Sequence, residues 1–150
     1  MIIIGNIGEI DTKISLYDEE IIKVDEVYGI VRNVKNKTWL KNIPDLSPSN
    51  ELYNYYLKEK NAFRWTSDKF KSVYIPWYMK DIKDTPISFD KNKNIFLGCF
   101  CQNEFLCHRS VLGVYLELLG YKVVSTSNDM EKYKEYKEIL NYQLSKANWI

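Results

Sequence analysis

Apolar residues along this chain fall into short dense runs separated by longer stretches in which they recur every three or four positions. Ile2-Ile3-Ile4, halted by Gly5 and Gly8, reads as a short buried strand. Val27-Tyr28-Gly29-Ile30-Val31 is a second run, closed by Arg32, Asn33 and a Lys/Asn-rich loop. Ile95 to Phe100 is nearly continuous in apolar character, the pattern of a strand covered on both faces of a parallel sheet. Tyr121-Lys122-Val123-Val124 supplies a further strand.

Between these runs the period is helical. Ser47 or Ser49 caps a helix reaching about residue 60, with Glu51 at its positive end and Tyr53, Tyr56 and Leu57 as its apolar stripe. Phe70, Val73, Tyr74 and Trp77 predict another helix from about Ser67-Asp68, which Pro76 should kink or divide. Leu112, Tyr115, Leu116 and Leu119 share one face of a helix from about His108, with Gly120 just past its end. Asn128 or Asp129 opens a C-terminal helix to about Lys146, its apolar side formed by Met130, Tyr133, Ile139 or Leu140, and Leu144.

Strands alternating with helices predict a single α/β domain over residues 1–150. Its sheet is expected to be mostly parallel, with helices on both faces in a Rossmann-like three-layer arrangement. There is no internal repeat and no low-complexity linker. A 45% apolar and 27% charged composition suits one folded core of this length.

Charge adds little in total, at +1, but it is uneven. Residues 1–30 hold two Lys against seven acids, residues 31–83 hold eleven Lys/Arg against five acids, and the remainder balances. A basic middle suits an anionic partner. Its Lys35, Lys37, Trp39, Lys41, Arg64 and Trp65 also admit nucleic acid as a lesser expectation. Three cysteines, odd in number and crowded between positions 99 and 107, do not form a disulfide framework. The start lacks a basic, signal-like region, and no run approaches the roughly 18 apolar residues of a membrane span. A reducing cytoplasm and no membrane are expected.

Chemistry concentrates at Cys99-Phe100-Cys101 through Cys107-His108-Arg109-Ser110. Cys99 and Cys101 share a face if the strand persists, and the next helix opens at Cys107-His108. Ligands of open α/β sheets collect at the carboxyl ends of strands, where a helix start offers unpaired N–H groups and partial positive charge. Arg109 adds a planar cation that grips carboxylates or phosphates. His108 is the only histidine, so any imidazole acid–base step must use it. Cys107, at a helix start, suits a nucleophile. The bland alternative makes the thiols packing residues and His108 a mere cap.

Cys99, Cys101, Cys107 and His108 are all residue types that zinc accepts. However, C-x-C followed later by an adjacent Cys-His lacks the usual knuckle spacing, and adjacent ligands require an unusual backbone; no metal and no cofactor is assigned. No cysteine stands six residues before an arginine, which disfavours a phosphatase- or rhodanese-type cradle. Gly5-Asn6-Ile7-Gly8 is too little for a phosphate loop.

The stretch Asn94-Ile95-Phe96-Leu97-Gly98-Cys99-Phe100 with Cys107-His108-Arg109-Ser110 resembles the domain of unknown function 488 family, whose strand commonly ends Leu-Cys-Tyr-Glu before a Cys-His-Arg helix start. Leu46-Ser47-Pro48-Ser49-Asn50-Glu51-Leu52 resembles that family's Leu-(Ala/Ser)-Pro-Ser segment. Phe70 to Tyr78 stands in the place of its (Glu/Lys)-x-Tyr helix, and Val31-Arg32 resembles its strand-ending arginine. Cys101 stands where the family usually has glutamate, and the C-x-C pattern is similar to domain of unknown function 4326. The resemblance covers about residues 1–125 and implies the fold and the site's location, with no established reaction. It places Arg32, Cys107, His108 and Arg109 in one pocket.

The expected activity is that of a small enzyme-like domain binding an anionic or nucleotide-related molecule. His108 and Cys107 are the catalytic candidates. Arg109, Arg32, Ser110, Cys101 and Cys99 are the binding candidates. A non-catalytic ligand-binding or interaction module, such as a sensor or a phage-type sponge, is the alternative.

Overall fold

The computed structural model describes residues 1–9, 13–15, 21–32, 34, 40–100 and 107–126, with 134, 137, 138, 141, 142, 145 and 146 beyond them. Its centre is a four-stranded parallel sheet built from β1 (Ile2–Asn6), β4 (Glu26–Gly29), β5 (Ile95–Cys99) and β6 (Val123–Ser125), in the order β4-β5-β1-β6. Ile2 pairs with both Ile95 and Val123, which sets the register of β5, β1 and β6. β2 (Lys13–Ser15) and β3 (Ile21–Lys23) form a separate antiparallel pair that the sequence reading did not anticipate.

The strand order explains where the remaining elements lie. β4 to β5 and β5 to β6 step across the sheet in one direction, whereas β1 to β4 steps back. Right-handed crossovers then put the helices of the first two connections on one face and the β1–β4 connection on the other. The burial agrees. Ile2, Ile4, Ile95 and Leu97 share a core with α1 (Asn50–Asn61), α3 (Ile75–Ile82) and α4 (His108–Leu118). Ile3 and Phe96 point the other way and meet Ile22 of β3. The expected α/β domain with a parallel sheet and flanking helices is observed; the C-terminal helix expected over 128–146 lies largely outside the described residues.

Local chemistry accounts for the helix bounds. Ser49 caps α1, its Oγ accepting from the Leu52 N–H at 3.2 Å, and Thr66 does the same for the Lys69 N–H at the start of α2 (Ser67–Lys69). Pro76 divides the next helix in a particular way: Phe70–Tyr74 is a π-helical turn between α2 and α3. The Ile75 N–H reaches back to the Phe70 carbonyl, and Pro76 falls in the first turn of α3, where its missing N–H is tolerated. Gly120 adopts φ +99° just after α4, the left-handed turn its position predicts.

Glu59, on the inner side of α1, is held by Arg64 (3.1 Å) and Lys69 (2.5 Å). Hydrogen bonds from Lys69, then Arg64, pull its pKa from 4.5 down to about 2. The folded chain therefore holds this carboxylate charged where the unfolded chain would protonate it. The resulting stability is complete above pH 4.5 and lost as pH falls towards 2. Glu59→Gln should flatten that part of the pH–stability profile, measured by thermal melts across the acid range.

Candidate functional site

Three backbone features converge at the carboxyl edge of β4 and β5. Cys99 is the last residue of β5 and fully buried. Ile30 follows β4, and its N–H donates to the Gly98 carbonyl at 2.9 Å, so the chain runs on beside β5 with the Ile30 carbonyl turned inward. Asn42 secures this extension: its Oδ1 accepts from the Val31 N–H at 3.1 Å and its Nδ2 donates to the Val31 carbonyl at 2.6 Å. Cys107, in extended conformation, caps α4, and His108, Arg109 and Ser110 form the helix's first turn.

His108 Nε2 lies 2.7 Å from the Ile30 carbonyl. A carbonyl only accepts, so Nε2 carries the proton and the neutral ring presents the Nδ1 lone pair on its other side. That side faces Cys107 Sγ at 3.4 Å. Cys107 Sγ in turn lies 3.1 Å from Cys99 Sγ, and Arg109 Nη1 donates to Cys99 Sγ at 3.3 Å. A single directed chain satisfies every distance: Arg109 N–H to Cys99, Cys99 S–H to Cys107, Cys107 S–H to Nδ1, and Nε2–H to Ile30. Both thiols are free of disulfides.

Burial tunes the cluster. His108 and Arg109 are 5% and 4% exposed and Cys107 is 2% exposed. Desolvation lowers the His108 pKa below 6.5; negative charge at Cys99 and the Ile30 hydrogen bond oppose this, and Arg109 adds to it. The imidazole is therefore held neutral, as a base. Tyr78, fully buried, packs its ring edge-on to His108 at 5.6 Å and donates its hydroxyl to the Leu46 carbonyl at 2.6 Å. Burial first, and then the two sulfurs, hold its pKa well above 10, so it remains a donor.

Of the residues singled out from sequence, Cys99, Cys107, His108 and Arg109 come together. Ser110 lies beside them, but its Oγ donates back to the Cys107 carbonyl at 2.9 Å, bracing the cap. Arg32 is the one exposed member among the described candidates, and its Nη1 donates to the Pro48 carbonyl at 3.0 Å. Cys101 lies outside the described residues, as do Lys35, Lys37 and Trp39. Arg64 is paired with Glu59, and Trp65 packs among Tyr56, Phe70 and Tyr74. Tyr74 belongs to the same aromatic core.

Sequence reasoning missed the Ile30 carbonyl, Asn42 and the contact of Tyr78 with the imidazole. A backbone carbonyl leaves no mark in sequence. Tyr78 had one signal, its i+4 spacing from Tyr74. Asn42→Ala would strip partners from the Val31 N–H and carbonyl. It should cost about 1–3 kcal/mol, read from the urea unfolding midpoint.

A parallel α/β sheet with Cys, His and Arg gathered at the start of the helix after its central strand defines a Cys-His-Arg motif domain. Residues 11–120 match the family model described as the active DUF488-N3 subclade, and the chain belongs to that DUF488 family. No curated protein and no solved structure matches the chain. No described helix is long and apolar enough to cross a membrane.

Proposed function

We propose that this domain is a small cytoplasmic enzyme acting on an anionic, nucleotide-related molecule at the Cys107-His108-Arg109 cluster. The observation that carries the reading is the His108 tautomer. With Nε2 committed to Ile30, Nδ1 is a neutral base aimed at the Cys107 thiol 3.4 Å away. That pairing removes a proton from a nucleophile, and the start of α4 stabilises the thiolate left behind. Arg109, one residue on, anchors the anion, with Arg32 on the neighbouring loop as a second cation. The family's description as an active subclade supports turnover over simple binding.

A module that binds its ligand without turning it over is the second reading; the near-complete burial of His108 and Arg109 restricts access for binding and for turnover alike. Mass spectrometry of the species co-purifying with the native chain, before and after incubation, separates the two: enzyme action changes the ligand's mass and binding alone leaves it. His108→Ala and Arg109→Ala should each lose that ligand. Unaltered retention in both variants would remove the cluster from consideration.

A further inference from the structure

We infer that Cys99, Cys107 and His108 form a three-donor site for a thiophilic d10 dication of the zinc class. One ligand atom from each (the two Sγ atoms and a His108 ring nitrogen) lies within 4.8 Å of the others, and all three residues are buried. This goes beyond the proposed reaction and does not depend on Cys107 acting as a nucleophile.

Three features support it. The first is backbone. Adjacent cysteine and histidine rarely reach one ion, because consecutive side chains of a helix diverge. Here Cys107 sits outside the helix at φ −131°, ψ 151°, and His108 is the first residue inside. That break brings Sγ and Nδ1 to 3.4 Å. A tetrahedral centre with bonds of about 2.3 Å to sulfur and about 2.0–2.1 Å to nitrogen separates such a pair by about 3.6 Å. The two sulfurs, at 3.1 Å, need only move apart to about 3.8 Å.

The second feature is the far side of the ring. Metal-binding histidines characteristically donate their other N–H to a carbonyl or carboxylate, which fixes the tautomer and the ring plane. Ile30 already supplies that carbonyl at 2.7 Å. The third is charge. Two thiolates neutralise a dication, which leaves the Arg109 guanidinium beside the centre. The fourth coordination position therefore suits an anion or hydroxide.

Binding releases the two thiol protons and engages both sulfurs. The thiol chemistry proposed above belongs to the metal-free chain, and zinc should suppress it.

The test is a titration of the reduced, chelator-treated full chain with cadmium, followed through thiolate-to-cadmium charge-transfer absorption. The band should saturate at one ion per chain and vanish as zinc displaces cadmium. Cys99→Ser and Cys107→Ser should each weaken binding by more than the roughly 10–100-fold that outer-sphere partners are worth. Circular dichroism establishes that each variant is folded, and zinc should raise the melting temperature of the wild-type chain. Absence of a band in the wild type, or a band that survives both Cys99→Ser and Cys107→Ser, would overturn the site. A saturating band with turnover untouched by zinc would instead overturn the nucleophile role and leave the metal site standing.

Discussion

The His108→Gln variant should turn over the native ligand about 10²–10⁴-fold more slowly, the span typical of a lost acid–base group, while keeping its fold. Glutamine can still offer an amide N–H to the Ile30 carbonyl, so the hydrogen bond now 2.7 Å long has a replacement. It has no basic lone pair to set against Cys107. The comparison with His108→Ala, which abandons the Ile30 carbonyl in a buried position, separates chemistry from packing: both variants lose the reaction, and only alanine should also lower the melting temperature. Equal turnover in His108→Gln and wild type would show that the imidazole moves no proton.

The second large effect concerns the opposite face of the sheet. Phe96 is fully buried against Ile3 and Ile22, so Phe96→Ala should cost about 3–5 kcal/mol. The same ring explains two glycines. A Cβ on Gly98 would stand 2.7 Å from the Phe96 ring, and one on Gly5, its register partner, would stand 3.0 Å from that ring and 2.7 Å from Thr126 Oγ1. Gly98→Ala should therefore destabilise the wild type and cost less once Phe96 has been shortened. A double-mutant cycle by urea unfolding measures this coupling, and strict additivity would show that the ring is not what excludes the methyl group.

The strands that form the sheet were legible because each is a dense apolar run between Gly, Pro or Asn. That Cys99, Cys107, His108 and Arg109 would gather was legible from the one histidine and from a strand leading into a helix. What escaped the reading shares a physical cause: it depends on partners distant in sequence. Ile21 to Lys23 is too short to carry a period, and β3 pairs only because β2 returns alongside it. Asn42 reads as one more polar loop residue until the Val31 backbone arrives eleven positions away. Pro76 pointed to a break in the helix, but how the break is made depends on hydrogen-bond geometry that residue types alone do not state. Arg32 and Arg109 read as a matched pair from sequence. One is drawn to a loop carbonyl at the surface and the other to sulfur in the interior.

The wide turn at Phe70–Tyr74 holds one residue more than ordinary α winding needs between Thr66 and Tyr78. Removing one residue there would close the turn into plain α-helix and leave the residues after it facing as they do now. Tyr78 would keep its contact with the imidazole. A second deletion, with that slack already used, would turn Tyr78 away from the imidazole by about 100° and dismantle the aromatic wall of the candidate site.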